Sequence, residues 1–258
     1  MYLRTMKTIQ YHIKGIIKTF ELLFQGKFLL YFIPGAVITL LFVWFRSGII
    51  GIDQSINVSS DYSWLNWLAS WFNSGVHKAF GLLDSLFEQF YIFIVLTALS
   101  PFNTYLGEKL DNKLTGTEFK GGLIRFVNDI IRMIFVVILA LVLEFVFMGI
   151  YWLISKMFGL NFMDDYIYWM LSAFFFGFSF YDFALERHHT GVFGTLGFAF
   201  RNPLTMLLTG GFFLIIYTIP YLGVPISPVL TIMISTIVYL YMTKKISAKK
   251  ELKTIENE

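Results

Sequence analysis

Glu144 has the most unusual surroundings of any ionisable residue in this sequence, because it interrupts a long apolar run. No other Asp, Glu, Lys or Arg lies between Met133 and Ser155. If this segment crosses a bilayer, the carboxyl group lies near the midplane, where ionisable groups usually face the bundle interior or a water path. Glu144 is therefore predicted to be a proton-coupling or gating carboxyl group. The alternative is a neutral glutamic acid hydrogen-bonded to a neighbouring helix.

A second group of ionisable residues lies between Tyr181 and His189. Asp182 and Glu186 are four positions apart and share one helical face, and His188 follows directly. These side chains could be imagined as a metal site or as the centre of a lipid-modifying enzyme. Their spacing does not match a familiar ligand set such as H-E-x-x-H. We predict a helix end held by salt bridges, without a bound metal.

The sequence carries none of the short motifs that mark common catalytic sites. It has no G-x-x-x-x-G-K-[ST] loop, no G-x-S-x-G elbow and no cysteine. The missing motifs argue against an ATP-driven pump within this chain and against a standard hydrolase, and the absence of cysteine excludes a cysteine-ligated metal site. The protein is predicted not to be an enzyme, and no cofactor or nucleic-acid partner is predicted.

The elements that must position these residues are apolar helices. Only 14% of the residues are charged, whereas 57% are hydrophobic and 30 are Phe. An ordinary soluble domain has about 25% charged residues and could not cover so much apolar surface. The composition therefore predicts an all-α integral membrane protein.

Six apolar segments are predicted to form membrane-embedded helices. They are Phe28–Phe45, Gln89–Gly107, Met133–Ser155, Tyr166–Tyr181, Pro203–Tyr217 and Pro228–Thr243. The last two come from one uncharged run that we divide at its prolines, because proline breaks helices. Both are shorter than the roughly 20 residues that a full crossing needs. They are predicted to be either two short crossings or a re-entrant hairpin.

The distribution of Lys and Arg predicts the orientation of these segments. Both residues are concentrated before the first segment, in the second and fourth loops and after the last segment. Such a bias places both termini in the cytoplasm. One membrane domain is predicted over residues 1–258, with an amphipathic cytoplasmic helix at 1–27, a membrane core at 28–243 and a basic tail at 244–258.

The first 27 residues show helical periodicity. The apolar residues Met6, Ile9, Ile13, Ile16, Phe20 and Leu23 recur at helical spacing, with basic residues on the other side. A helix of this kind suits the surface of an anionic leaflet. It could equally be a cytoplasmic helix that packs on the bundle.

Short motifs follow one another in a recognisable order over roughly residues 10 to 243. They are Ile33-Pro34, Ser100-Pro101-Phe102 followed by Leu106, Glu108 and Leu110, Tyr181-Asp182 with Glu186-Arg187, Ile219-Pro220, and Pro228. In this order the chain resembles the family of the bacterial CysZ sulfate-transport protein, which also includes the eukaryotic etoposide-induced protein 2.4. The resemblance implies a structural role for Pro34, Pro101, Phe102, Glu108, Asp182, Glu186, Arg187, Pro220 and Pro228.

The resemblance also implies a function. It implies an oligomeric, helical protein of the bacterial inner membrane that admits sulfate to the cytoplasm, with some helices that only half-penetrate the bilayer. Of the family's basic pattern before Pro34, this chain keeps Gly26 and Lys27. An oxyanion needs backbone N–H groups and a nearby cation, so Gly26 and Lys27 are predicted to bind substrate. The predicted partners are membrane lipids, sulfate or a similar small anion, and further copies of the chain. The alternative function is a non-transporting membrane scaffold or assembly factor.

Overall fold

The chain folds into a bundle of α-helices. The computed structural model describes residues 2–26, 28–55, 73–74, 92, 95–118, 123–220 and 222–246, and all secondary structure within them is helical. The helices are α1 (Tyr2–Phe24), α2 (Phe32–Ser55), α3 (helical residues 95–115), α4 (Leu123–Phe158), α5 (Asp164–Glu186), α6 (Val192–Arg201), α7 (Pro203–Tyr217) and α8 (Gly223–Met242). Short 3₁₀ turns at Leu29–Tyr31 and Asn161–Met163 precede α2 and α5.

Three of the described helical stretches are long and apolar enough to cross a membrane: Val127–Phe158, Asn161–Glu186 and Gly223–Met242. The number of candidate spans rises to five if each of two bent helix pairs forms a single span. In both pairs, α1 with α2 and α6 with α7, the helices meet at 101°. The prediction of an all-α multi-pass membrane protein is confirmed, with three to five candidate spans in the described part of the chain.

The last helix differs from its prediction. It begins at Gly223 and not at Pro228, which lies inside it. The prediction was wrong because it treated each proline as a helix boundary. Pro225 occupies the first turn, where a backbone N–H has no helical partner in any case, so proline is tolerated there. The resulting 20-residue helix is long enough for a full crossing. By contrast, α7 keeps the predicted bounds Pro203–Tyr217 and remains short at 15 residues.

Helices α5 and α7 approach each other through small residues. A Cβ atom at Gly210 would collide with the backbone oxygen of Ala173, and one at Gly177 would collide with the backbone of Met206. Close backbone contact through small residues is the usual way in which membrane helices associate, since lipid gives no hydrophobic drive. These contacts also show that the two helices run antiparallel. The start of α7 therefore lies toward the end of α5 that carries Asp182 and Glu186.

Helices α4 and α8 occupy different layers of the bundle. In the most apolar window of α8, 89% of the residues are buried inside the protein, whereas in that of α4 only 28% are. α8 is thus the central helix, packed by α1, α2, α5 and α7. α4 turns most of its apolar surface outward, as a lipid-facing helix does.

Helix α1 has three faces. Thr8, His12, Gly15 and Thr19 are buried, and this face packs on α8 and α7. The apolar residues Met6, Ile9, Ile13 and Phe20 are exposed, as are the basic residues Lys7 and Lys14 on a third face. The helix therefore joins the bundle through small and polar groups together with Leu22 and Leu23 at its end, and most of its predicted apolar stripe remains open to lipid.

Candidate functional site

Arg187 is the most deeply buried cation in the described part of the chain. It follows the last residue of α5, and its side chain has 0% exposure. One terminal nitrogen donates to the Phe183 carbonyl at 2.8 Å, and the other donates to Thr236 Oγ1 on α8 at 2.8 Å. Its Nε lies 3.8 Å from Asp111 Oδ2 on α3. The guanidinium group also packs on Gly107, where a Cβ atom would collide with it. Arg187 therefore ties together α3, α5 and α8.

Asp111 is the counter-charge of this cluster. Burial by itself would raise its pKa, but the hydrogen bond from His188, the positive charge of Arg187 and the Thr115 hydroxyl outweigh burial and lower the pKa. Asp111 is therefore held in its ionised form. Its Oδ1 also accepts a hydrogen bond from Thr115 at 3.0 Å.

His188 connects Asp111 to the residues that follow α8. Its Nε2 lies 3.1 Å from Asp111 Oδ2, and its Nδ1 lies 2.7 Å from Lys245 Nζ. An ammonium group only donates, so Nδ1 accepts from Lys245 and the ring proton belongs on Nε2, where it faces Asp111. The ring also stacks on Tyr239 with a centroid distance of 5.0 Å.

A polar stripe of α3 leads away from Arg187. Ser100, Thr104, Gly107 and Asp111 follow the spacing i, i+4, i+7, i+11 and are all buried, and Asn103 is buried beside them. Within the described residues, Ser100 Oγ, Asn103 Nδ2 and Thr104 Oγ1 have no hydrogen-bond partner. Buried donors are normally satisfied, so such a row points to water or a polar solute along this face.

A second ion-pair cluster joins α4 to the end of α5. Arg132 donates two hydrogen bonds to Asp182, both at 2.8 Å, and one to the Thr190 carbonyl at 2.9 Å. Its Nε lies 3.7 Å from Glu186 Oε2, and Asp129 is a further carboxylate near it. Asp182 and Glu186 thus form a salt-bridged helix end, as their spacing predicts. The described residues contain no group of three or more His, Asp or Glu that could hold a metal ion.

Glu144 is 8% exposed and lies at the α4–α5 contact. Its Oε1 accepts a hydrogen bond from Ser172 on α5 at 2.5 Å. This hydrogen bond agrees with the alternative interpretation, in which Glu144 is a neutral glutamic acid bonded to a neighbouring helix. The proton-coupling role stays a prediction.

A buried polar chain that links α1, α5 and α7 was not predicted from the sequence. His12 Nδ1 donates to the Thr8 carbonyl at 2.9 Å, and its Nε2 lies 3.0 Å from Thr209 Oγ1. Thr209 Oγ1 in turn lies 3.4 Å from the Tyr181 hydroxyl oxygen. A lone histidine next to the hydrophobic stripe of an amphipathic helix was the only sign of this contact.

The remaining predicted residues do not gather at one place. Gly26 is exposed in the turn after α1, where its φ of 74° suits glycine, and Lys27 lies outside the described residues. Pro34 lies in the first turn of α2 and Pro220 in the exposed α7–α8 turn. The structure places two other motif residues inside α3.

Those two residues are Pro101 and Phe102. Helix α3 runs through them without interruption and continues to Thr115, past the predicted segment end at Gly107. Pro101 is buried and Phe102 is 43% exposed. Glu108, about two turns further along, is buried at 9% exposure beside the polar stripe.

These features define the class of the protein, an all-α multi-pass membrane protein with a layer of buried ion pairs at the end of α5. No protein-family model matches the chain, and no curated protein matches it. The resemblance to the CysZ family therefore rests on the sequence motifs alone and enters only the proposal below.

Proposed function

We propose that this protein is a membrane permease or channel for a small inorganic anion, with sulfate as the first candidate substrate. The observation that carries the proposal is the buried Arg187 at the end of the polar stripe of α3. Arg187 lies just beyond the candidate span Asn161–Glu186, and a charged side chain that is costly to bury at such a place commonly marks the path of an ion or substrate. The order of the CysZ-like motifs supports the same class of function.

The chemistry of the stripe suits an oxyanion. Ser100, Asn103 and Thr104 place hydroxyl and amide donors in a row, and such donors can replace part of the hydration shell of an anion. Arg187 supplies a permanent positive charge at the end of the row. Its ion pair with Asp111 is loose at 3.8 Å, so an arriving anion can share the guanidinium group.

The two ion-pair clusters differ in charge. Around Arg132 stand three carboxylates, of Asp129, Asp182 and Glu186. Around Arg187 the carboxylate of Asp111 is accompanied by Lys245 through His188. We assign the anion path to the Arg187 side and a structural role to the Arg132 side.

The proposal includes a membrane arrangement. The protein would have about six membrane-embedded helices, with both termini in the cytoplasm of a bacterial cell. It would form a homo-oligomer in the inner membrane. Gly26 and Lys27 would receive the anion at the turn after α1. Glu144 would couple a proton to transport or gate it.

The test is sulfate uptake by the purified chain in liposomes. Thr104→Val is the sharpest variant, because it removes a hydroxyl group without a partner in the described part of the chain and keeps the side-chain volume. We expect a normal melting temperature and uptake lowered by about tenfold, the effect of losing roughly 1.4 kcal/mol of interaction with the anion. Lys109→Gln, which removes an exposed charge on the same helix, is the matched control and should leave uptake unchanged.

Three results would count against the proposal. Sulfate flux equal to that of empty vesicles, together with no measurable sulfate binding, would exclude this anion. Capture of one stoichiometric protein partner without flux of any small anion would favour the scaffold function. Normal uptake by Thr104→Val would remove the α3 stripe from the path.

A further inference from the structure

An apolar cavity lies on the outer side of the bundle where α4, α5 and the α6–α7 bend meet. Its volume is about 350 Å³, and it is open to the outside. Its walls include Phe147 of α4, Met170 and Phe174 of α5, Phe200 of α6, and Leu207 of α7. It is more than twice the size of the ~150 Å³ apolar cavity that stays dry and takes up benzene.

The walls of this cavity are aromatic and braced against one another. The ring centroid of Phe200 lies 5.3 Å from that of Phe174 and 6.1 Å from that of Phe147. Polar atoms contribute almost nothing to the lining. Water would find no hydrogen-bond partners here, whereas a hydrocarbon chain would find close contacts on all walls.

A cation lies at the edge of the cavity. Arg201 ends α6, between the lining residues Phe200 and Pro203, and it is exposed. Between Thr190 and Thr243 the sequence contains no other Asp, Glu, Lys or Arg. Its charge is therefore not offset by any carboxylate from α6, α7 or α8.

The level of the bend fits a headgroup position. Met206 of α7 packs on Gly177 of α5, and Gly210 packs beside Ala173, so the start of α7, which follows Arg201, lies nearer than the rest of α7 to the end of α5 that carries Asp182. The cavity extends from there along the apolar part of α5. A charged group at the bend and a chain in the cavity would thus follow the polarity of a bilayer leaflet.

We propose that this cavity and Arg201 form a binding site for an anionic glycerophospholipid. One acyl chain would occupy the cavity, and the phosphate group would bind the guanidinium group of Arg201. The selectivity for net negative lipids comes from the charge of Arg201, which no carboxylate of α6, α7 or α8 offsets, and the affinity for the chain comes from the aromatic walls. The site is separate from the polar stripe of α3 and does not depend on a transport function.

The experiment measures lipid binding to the full chain by native mass spectrometry, with phosphatidylglycerol and phosphatidylcholine of equal chain length. We expect the wild type to prefer phosphatidylglycerol by about fivefold, the contribution of one Arg near an anionic surface. Arg201→Gln should lower this preference and retain the weaker binding common to both lipids. The control Lys109→Gln, another exposed cation, should keep the preference.

A second variant tests the cavity. Leu207→Trp fills it from α7 and should lower the binding of both lipids, whereas Ile215→Trp adds the same ring at an exposed position of α7 outside the cavity and should lower neither. An unchanged lipid preference in Arg201→Gln would overturn the headgroup assignment. Unchanged binding in Leu207→Trp, or equal competition by soluble glycerol phosphate, would overturn the acyl-chain site.

Discussion

The ion pair between Arg187 and Asp111 gives the most exacting test of the buried layer. Arg187→Met removes the guanidinium group and keeps an apolar stem of similar length. The Asp111 carboxylate then remains buried without its cation, and the hydroxyl group of Thr236 loses its charged donor. Removal of one partner of a buried pair costs about 3–5 kcal/mol, because the remaining charge is uncompensated.

The distance in the structure gives a similar magnitude. Two unit charges 3.8 Å apart interact by about 4 kcal/mol at an effective dielectric constant of 20. Asp111→Asn should be destabilising as well, since it leaves Arg187 buried without a counter-charge. The double variant lacks both charges, so it should lose far less than the sum of the two single losses.

The assay is a double-mutant cycle on the free energy of unfolding in mild detergent. We expect a coupling energy of about 2–3 kcal/mol between Arg187 and Asp111, at the upper end of the usual range for contacting residues. The half-buried pair Lys18–Glu21, with a 2.9 Å contact between neighbouring turns of α1, is the control and should couple by only about 0.2–0.5 kcal/mol. Additivity at Arg187 and Asp111 within about 0.5 kcal/mol would refute the assignment of Asp111 as the counter-charge.

Three further predictions concern other parts of the bundle. Gly210→Leu should destabilise the protein by about 3 kcal/mol or more in thermal unfolding, because the new side chain meets the α5 backbone, whereas Gly149→Leu, which has open space, should not. Ser172→Ala should cost about 1–3 kcal/mol of stability, since Glu144 loses its hydrogen bond inside the bundle; equal unfolding of variant and wild type would contradict this bond. The lowered pKa of Asp111 means that its stabilising contribution is complete above the unfolded pKa of about 4 and is lost as the pH falls through the folded value. Unfolding followed between pH 6 and pH 2 should therefore show an acid-dependent loss of stability that is smaller in Asp111→Asn; identical pH curves would count against it.

The apolar helices could be predicted well from the sequence. The bounds of α7 agree with the prediction at both ends, because Pro203 suits the first helical position and Pro220 lies in the turn that follows. The start of α8 could not be predicted by the same rule. Its prolines lie where local sequence favours a break, and the contact of Pro225 with Gly35 on α2 belongs to tertiary packing.

The buried face of α1 could not be predicted from the sequence either. Hydrophobic periodicity identifies the amphipathic helix, and the natural expectation is that an apolar stripe packs on the bundle. In a membrane protein that stripe can face lipid, so packing is decided by whichever face permits close approach. Gly15, whose Cβ would come within 2.9 Å of Val238, and the bond between His12 and Thr209 select the small and polar face.

The sequence by itself determined the class of this protein, since lipid is the only solvent that accepts such a composition, and it marked Glu144, Asp182, Glu186 and Arg187 as unusual residues. The tertiary structure alone decided their partners. Asp111 and Arg187 are far apart along the chain, and no local periodicity relates the end of α5 to a buried stripe of α3. Ion pairs between helices depend on which faces meet, and those faces are set by the packing of small residues across the whole bundle.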